Sequence, residues 1–195
     1  MRALSRLAVV VSLLAAVTAC AMDDPGNRFE EISYAELPAI GLDVGSIEIE
    51  QIYKATRQAP HVEHRFHVPP GDAARRWAED RLAARGDRLT FRYIVREASA
   101  LETKLETASG VKGLVTTDQA ARYDVHIAIE MQVLDGHLLQ GTAKAEARRS
   151  TTVPEGITLA ERERTWYRLT EDTMKDLDRQ LEETIRTAFF PYIVL

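Results

Sequence analysis

The chain of 195 residues contains one cysteine, Cys20, so no intramolecular disulfide can form and the fold must rest on an apolar core. Beyond the first 20 residues there is no run of 18 apolar residues, which excludes a second hydrophobic membrane helix. Positive charge is scarce as well: 25 Lys and Arg stand against 30 Asp and Glu, a net charge of −5. That balance is the opposite of a nucleic-acid-binding footprint. The chain has no internal repeat, no low-complexity tract and no G-x-S-x-G nucleophile elbow. Its nearest glycine-rich stretch, Ser109-Gly110-Val111-Lys112-Gly113, lacks the spacing of a phosphate loop. No constellation points to catalysis, and the expectation is a non-enzymatic protein that uses no cofactor.

What the chain does have stands at its start. Arg2 and Arg6 precede an apolar run from Leu7 to Val17, broken only by Ser12. Those 11 residues are too few to cross a bilayer, which takes about 20. A basic flank, a short apolar stretch and a small-residue exit together predict a secretory signal peptide. Val17-Thr18-Ala19-Cys20 resembles a bacterial lipobox, in which an aliphatic and two small residues precede a cysteine. The resemblance implies cleavage before Cys20 and acyl chains, palmitate among them, attached through it. Each buried methylene contributes about 0.8 kcal/mol and one myristoyl chain holds only marginally, so the two or three chains of a lipoprotein make a lasting anchor. Ala21, where an Asp would resemble the inner-membrane retention signal, implies an outer-membrane anchor facing the periplasm, with the inner membrane as the alternative. Without residues 1–19 the charge becomes −7, from 23 basic and 30 acidic residues.

From Cys20 to Gly45 the chain holds Pro25, Gly26, Pro38, Gly41 and Gly45 without sustained periodicity. The expected organisation is therefore a signal peptide over 1–19, a lipidated cysteine and tether over 20–45, and one α+β periplasmic domain over 46–195. A coil of about 20 residues would hold the domain roughly 25 Å from the membrane.

Within that domain, Ser46–Tyr53 alternates as a strand. Asp72 is placed to cap a helix running to Arg85 and closed by Gly86, with Ala74, Trp77, Ala78 and Leu82 inward and Arg75, Arg76, Arg81 and Arg85 on the flanks. Leu89, Phe91, Tyr93 and Val95 share one face of a strand, and residues 106–120 lose the pattern and predict a loop. Tyr123 to Val133 alternates cleanly, Asp135-Gly136 marks a hairpin, and the returning strand places Gly141, Ala143, Ala145 and Ala147 inward. Thr158 and Glu161 form a capping box, followed by an apolar stripe at Trp166, Leu169, Thr173, Leu177, Leu181, Ile185 and Phe189. Such a helix would be about 50 Å long, so a bend near Thr170 or a later start is expected. Pro191 stops it. The fold class is α+β: an antiparallel sheet of about four strands, two helices on one face, and a long C-terminal helix.

Three segments are candidates for binding. The tail, with Phe190, Tyr192, Ile193 and Leu195, is either a flap that closes the core or an apolar patch for a partner. The outer sheet face carries Arg92, Arg96, Lys144 and Arg148 among Asp124, Glu130 and Glu146. It is either a solvated face or a surface for an anionic lipid headgroup or a protein. His61, His64 and His67 are spaced three apart between prolines. In an extended segment such residues stand roughly 9 Å apart along one face, too far for one zinc, so no metal site is expected. A metal- or ligand-binding module built on this segment is the alternative reading.

With the lipobox, sheet and helices assembled, the chain resembles small envelope lipoproteins. Its layout over about residues 45–190 is similar to auxiliary lipoproteins of ABC-type transport systems and to the lipoprotein that plugs the lipopolysaccharide translocon. That resemblance implies a non-catalytic accessory subunit or scaffold in outer-membrane assembly or lipid transport. It implies attachment to the membrane by lipid and a partner that is an envelope protein or a lipid. No binding residue carries over from it.

Overall fold

The computed structural model describes residues 29–105 and 119–194. Cys20, the signal segment, residues 106–118 of the expected loop and Leu195 lie outside the described residues. The elements in chain order are β1 (Ile40–Leu42), β2 (Ser46–Gln51), α1 (Pro70–Arg81), β3 (Leu82–Ala84), β4 (Thr90–Lys104), β5 (Gln119–Asp135), β6 (Leu138–Pro154) and α2 (Leu159–Ala188). The α+β class, the two helices and the long C-terminal helix follow the reading of the sequence.

Alternation over β4, β5 and β6, interrupted in β4 by an irregularity between Val95 and Glu97, makes a sheet with one apolar face. In its register, Tyr93 faces Met131 and Met131 faces Ala143, all turned toward the helices. The hairpin between β5 and β6 turns at Asp135-Gly136, where Gly136 takes a φ of 59°. A side chain with Cβ is disfavoured there. The sheet order is β2-β4-β5-β6, and β1 with β3 forms a separate two-stranded pair.

The first departure concerns direction. β2 runs parallel to β4, with Ile47 opposite Phe91 and Ile49 opposite Tyr93, rather than antiparallel. The chain between them passes through α1, and a crossover of that length returns the next strand in the original direction. The strand-helix-strand order in the sequence carried this signal.

The second departure is in α1, which starts at Pro70 with Pro69 as its cap and ends at Arg81 instead of Arg85. Asp72 therefore lies in the first turn, where a carboxylate still favours the helix dipole. Leu82–Ala84 peels away to pair with β1. Gly86 closes the connection, because a Cβ there would come within 2.8 Å of the Val44 amide nitrogen. Arg81, expected on a flank, is 2% exposed.

The third departure is α2, a single unbroken helix of 30 residues that starts at Leu159 rather than later. It spans about 45 Å at 1.5 Å per residue. Thr158 and Glu161 form the reciprocal capping box at its start. Its stripe of Trp166, Leu169, Thr173, Leu177, Leu181 and Ile185 is buried. Ala145 and Ala147 of β6 are buried under it, because small side chains let the helix axis come close. Fully buried aliphatics such as Ile127, Leu177 and Leu181 each contribute about 1.5–3 kcal/mol.

The packed domain begins before residue 46. Ile32, Tyr34, Leu42 and Val44 belong to the core, so the part of the expected tether from Ile32 onward is part of the fold. The Ser33 hydroxyl and the Tyr34 amide both donate to Asp80 of α1, at 2.8 and 2.7 Å.

Candidate functional site

The chain enters the described domain at Phe29, whose ring stacks on Tyr167 of α2 at 5.1 Å and lies tilted against His67 at 5.0 Å. This entry lies toward the start of α2. Cys20, the lipidation candidate, is nine positions earlier and outside the described residues.

The C-terminal tail lies at the other end. Phe189 is 1% exposed and meets Phe91 edge-on at 5.3 Å, whereas its neighbour Phe190 is 69% exposed. Past the helix the chain makes a short 3-10 turn and bridges to β1. The Asp43 amide donates to the Tyr192 carbonyl at 2.7 Å, and the Val194 amide donates to the Gly41 carbonyl at 3.0 Å. Tyr192 and Ile193 pack partly against the core. The tail thus divides: Phe189, Tyr192 and Ile193 close the core, and Phe190 points outward. Leu195 lies outside the described residues. Leu138 and Leu139, at the β5–β6 hairpin on this same end, are also exposed. Together with Phe190 and Val194 they make four of the seven exposed large apolar side chains among the described residues.

The three histidines do not converge. His61 Nδ1 lies 3.4 Å from the Tyr53 hydroxyl and 3.5 Å from Glu63 Oε1. His64 is exposed, and His67 Nε2 lies 3.7 Å from Glu163. Among the described residues no three His, Cys, Asp or Glu side chains are gathered closely enough to hold a metal ion. The metal-binding alternative therefore finds no ligand set in this segment.

Glu63 is 3% exposed and accepts from the Tyr53 hydroxyl at 2.7 Å and from the Ala100 amide at 3.2 Å. Burial, reinforced by the Glu63 carboxylate, raises the Tyr53 pKa well above that of a free phenol, so its hydroxyl stays a donor. These bonds tie residues 53–63 to β4. They are structural.

On the outer sheet face the charges pair among themselves. Arg92 Nε lies 2.9 Å from Glu48 and 3.1 Å from Glu50, Arg96 Nε lies 3.0 Å from Glu130, and Arg148 lies 3.6 Å from Glu146. The Arg96 hydrogen bond is the main reason the Glu130 carboxyl titrates below the usual range. This pattern fits the solvated-face reading.

A polar seam between the helices went unrecognised in the sequence. Arg81 pairs with Asp178 at 3.8 Å and with Glu182, and also donates to the Pro38 carbonyl. Trp77 Nε1 donates to Asp178 at 2.7 Å. The signal lay in the spacing, since 74, 77, 78 and 81 form one helical stripe and 178 and 182 are four apart.

A cleft of about 240 Å³ opens between residues 57–65 and the end of β4, lined by Arg57, His61, His64, Arg65, Glu102 and Lys104 among others. Sequence reading singled out only its histidines, because its cations come from segments 40 residues apart.

Neither a protein-family model nor a curated protein matches the chain. Among solved structures, it is similar to a minor lipoprotein from Acinetobacter baumannii at 13% identity and a TM-score of 0.39, covering 79% of this chain and 98% of that one. It is similar to the rare lipoprotein B from Shewanella oneidensis at 18% identity and a TM-score of 0.34, covering 71% and 92% of the two chains. For a lipoprotein B from Nitrosomonas europaea the figures are 13% identity, a TM-score of 0.37, and coverage of 72% and 84%. With every one of these TM-scores below 0.5, the likenesses carry no argument about function.

Proposed function

We propose that this chain is a lipid-anchored, non-catalytic envelope lipoprotein that serves as an accessory or scaffold subunit in outer-membrane assembly or lipid transport. The anchor is Cys20 and the leaflet is that of the outer membrane, on its periplasmic side. The observation that carries the reading is the opposition of two ends. A lipobox-like Val17-Thr18-Ala19-Cys20 leads into Phe29 near the start of α2, while exposed Phe190, Leu138 and Leu139 stand at its far end. From Tyr167 to Phe190 the helix advances about 35 Å. Nine residues from Cys20 to Phe29 reach at most about 31 Å. An anchor at one end and an uncovered apolar tip at the other suit a protein that presents its tip to a partner away from the membrane.

Two measurements test it. Labelled palmitate should enter the wild-type protein in cells and be absent from Cys20→Ala. A photo-crosslinking residue at position 190 should capture a discrete envelope protein in intact cells, while the same residue at position 92 captures none. Unlabelled wild-type protein, or identical crosslinking from both positions, overturns the proposal.

A further inference from the structure

We propose that the cleft between residues 57–65 and the end of β4 is an anion site that takes a phosphate group. Its walls are fixed to each other. The Glu102 amide donates to the Pro60 carbonyl at 2.8 Å, the Val62 amide donates to the Ala100 carbonyl at 2.8 Å, and His61 bridges to Leu101.

Three cations line the cleft. Arg57 and Arg65 come from residues 57–65 and Lys104 from the end of β4, and the Arg65 guanidinium lies 5.9 Å over the Trp166 ring. Glu102 is the opposing charge in the lining, and it is already engaged by the Tyr123 hydroxyl at 2.8 Å and by Arg65 at 3.8 Å. Glu63 lies behind His61, occupied by Tyr53 and Ala100. Neither Arg57 nor Lys104 has an ion-pair partner among the described residues, unlike Arg92 and Arg96 on the outer face.

Three cations against one carboxylate leave the lining at +2 with neutral imidazoles, in a chain whose net charge is −5. Inorganic phosphate carries about −1.5 charge at pH 7 and a phosphodiester headgroup about −1, each with at least two strong acceptor oxygens, which suits this set. A guanidinium can grip two of those oxygens at once, the ammonium acts as a point charge, and each imidazole offers an N–H. The volume is below that of a drug-sized pocket, which begins at about 300 Å³, and matches a headgroup or an inorganic anion.

Arg57 adds a second sign. Its φ of 57° lies in the left-handed region, which non-glycine residues rarely occupy, so the loop holds this cation in an unfavourable backbone state.

The cleft also lies at the end where the chain enters. Arg65 covers Trp166 while Phe29 stacks on Tyr167, the next residue of α2. A phosphate in the headgroups of the anchoring leaflet is thus one source, and free phosphate the other. The headgroup source rests on the anchor proposed above; the site itself does not.

The test uses the full-length lipidated protein in dodecyl maltoside, a phosphate-free detergent, with isothermal titration of inorganic phosphate and of dihexanoyl phosphatidylglycerol. The variants are Arg57→Asn, which tolerates the left-handed backbone without the charge, Lys104→Gln, both together, and Arg92→Gln as the control. Circular dichroism verifies the fold of each. The expected result is saturable binding that weakens at least fivefold in each single variant and at least tenfold in the double, with the control within twofold. Phosphatidylglycerol binding at least fivefold tighter than phosphate, with that advantage lost in the double variant, assigns the headgroup. Equal affinities assign free phosphate. Absence of saturable binding to either probe, or unchanged binding in a folded double variant, overturns the site. Phosphate binding by a protein that takes up no palmitate would overturn the anchor alone.

Discussion

Trp77 of α1 donates its indole N–H to Asp178 of α2 across 101 positions of sequence, at 2.7 Å. The same carboxylate lies 3.8 Å from Arg81, which is almost fully buried, so one side chain of α2 meets two residues of α1. Asp178→Ala leaves the indole unpaired and Arg81 dependent on Glu182. We expect a loss of about 2–3 kcal/mol, from an orphaned buried donor and a weakened buried ion pair. Asp178→Asn keeps an acceptor and should lose about half as much. Urea titrations followed by tryptophan fluorescence measure both, and equal losses would refute the indole's share.

Two adjacent phenylalanines should behave oppositely. Phe189→Ala opens a hole against Phe91 and should cost about 3–4 kcal/mol. Phe190→Ala, at an exposed site, should change stability by less than about 0.5 kcal/mol. On the proposed function, it should still abolish crosslinking from position 139 at the same end of the fold.

Glu63 is the buried clasp between residues 53–63 and β4. Glu63→Ala strands the Tyr53 hydroxyl and the Ala100 amide and should cost about 2–3 kcal/mol, whereas Glu63→Gln should cost about 1 kcal/mol. Thermal melts of the three proteins decide it, and a melt unchanged in Glu63→Ala would refute the clasp.

Acid should expose the Arg149–Asp176 pair between β6 and α2. The Arg149 guanidinium is the main cause holding the Asp176 carboxyl below the usual carboxylate range, and Arg96 does the same for Glu130. A folded-state pKa below the unfolded one means stability that is present above the unfolded value, about 3.9 for Asp and 4.3 for Glu, and lost as pH falls through the folded value. Wild type should therefore lose stability more steeply than Arg149→Gln below about pH 4. Their urea midpoints should differ at pH 7 and converge at low pH. A constant difference across the series would refute the linkage.

The strands and the long helix were legible because alternation by two and spacing by three and four are visible within a few turns of chain. Tyr123 to Val133 alternates without a break, and the four-residue Thr158–Glu161 box marks the start of α2. The parallel edge strand was less visible, since the direction of β2 depends on how α1 carries the chain back. Arg81 was hidden by its own charge. Sequence alone puts an arginine outside, and only the arrival of Asp178 and Glu182 from the other helix makes its burial tolerable. Residues 32–45 lack periodicity, and their burial rests on a surface that other segments supply.

In the same way, nothing local separates Phe189 from Phe190. The composition and periodicity of the chain suffice to make an apolar sheet face and an amphipathic helix that must cover it, because hydrophobic burial follows from which side chains share a face. Which charges are cancelled and which remain open is a different matter. Arg92 is neutralised by Glu48 and Glu50, while Arg57 and Lys104 line one cleft without carboxylates of their own. Electrostatic pairing acts through space between distant segments, and it came into being only when the folded chain brought those segments together.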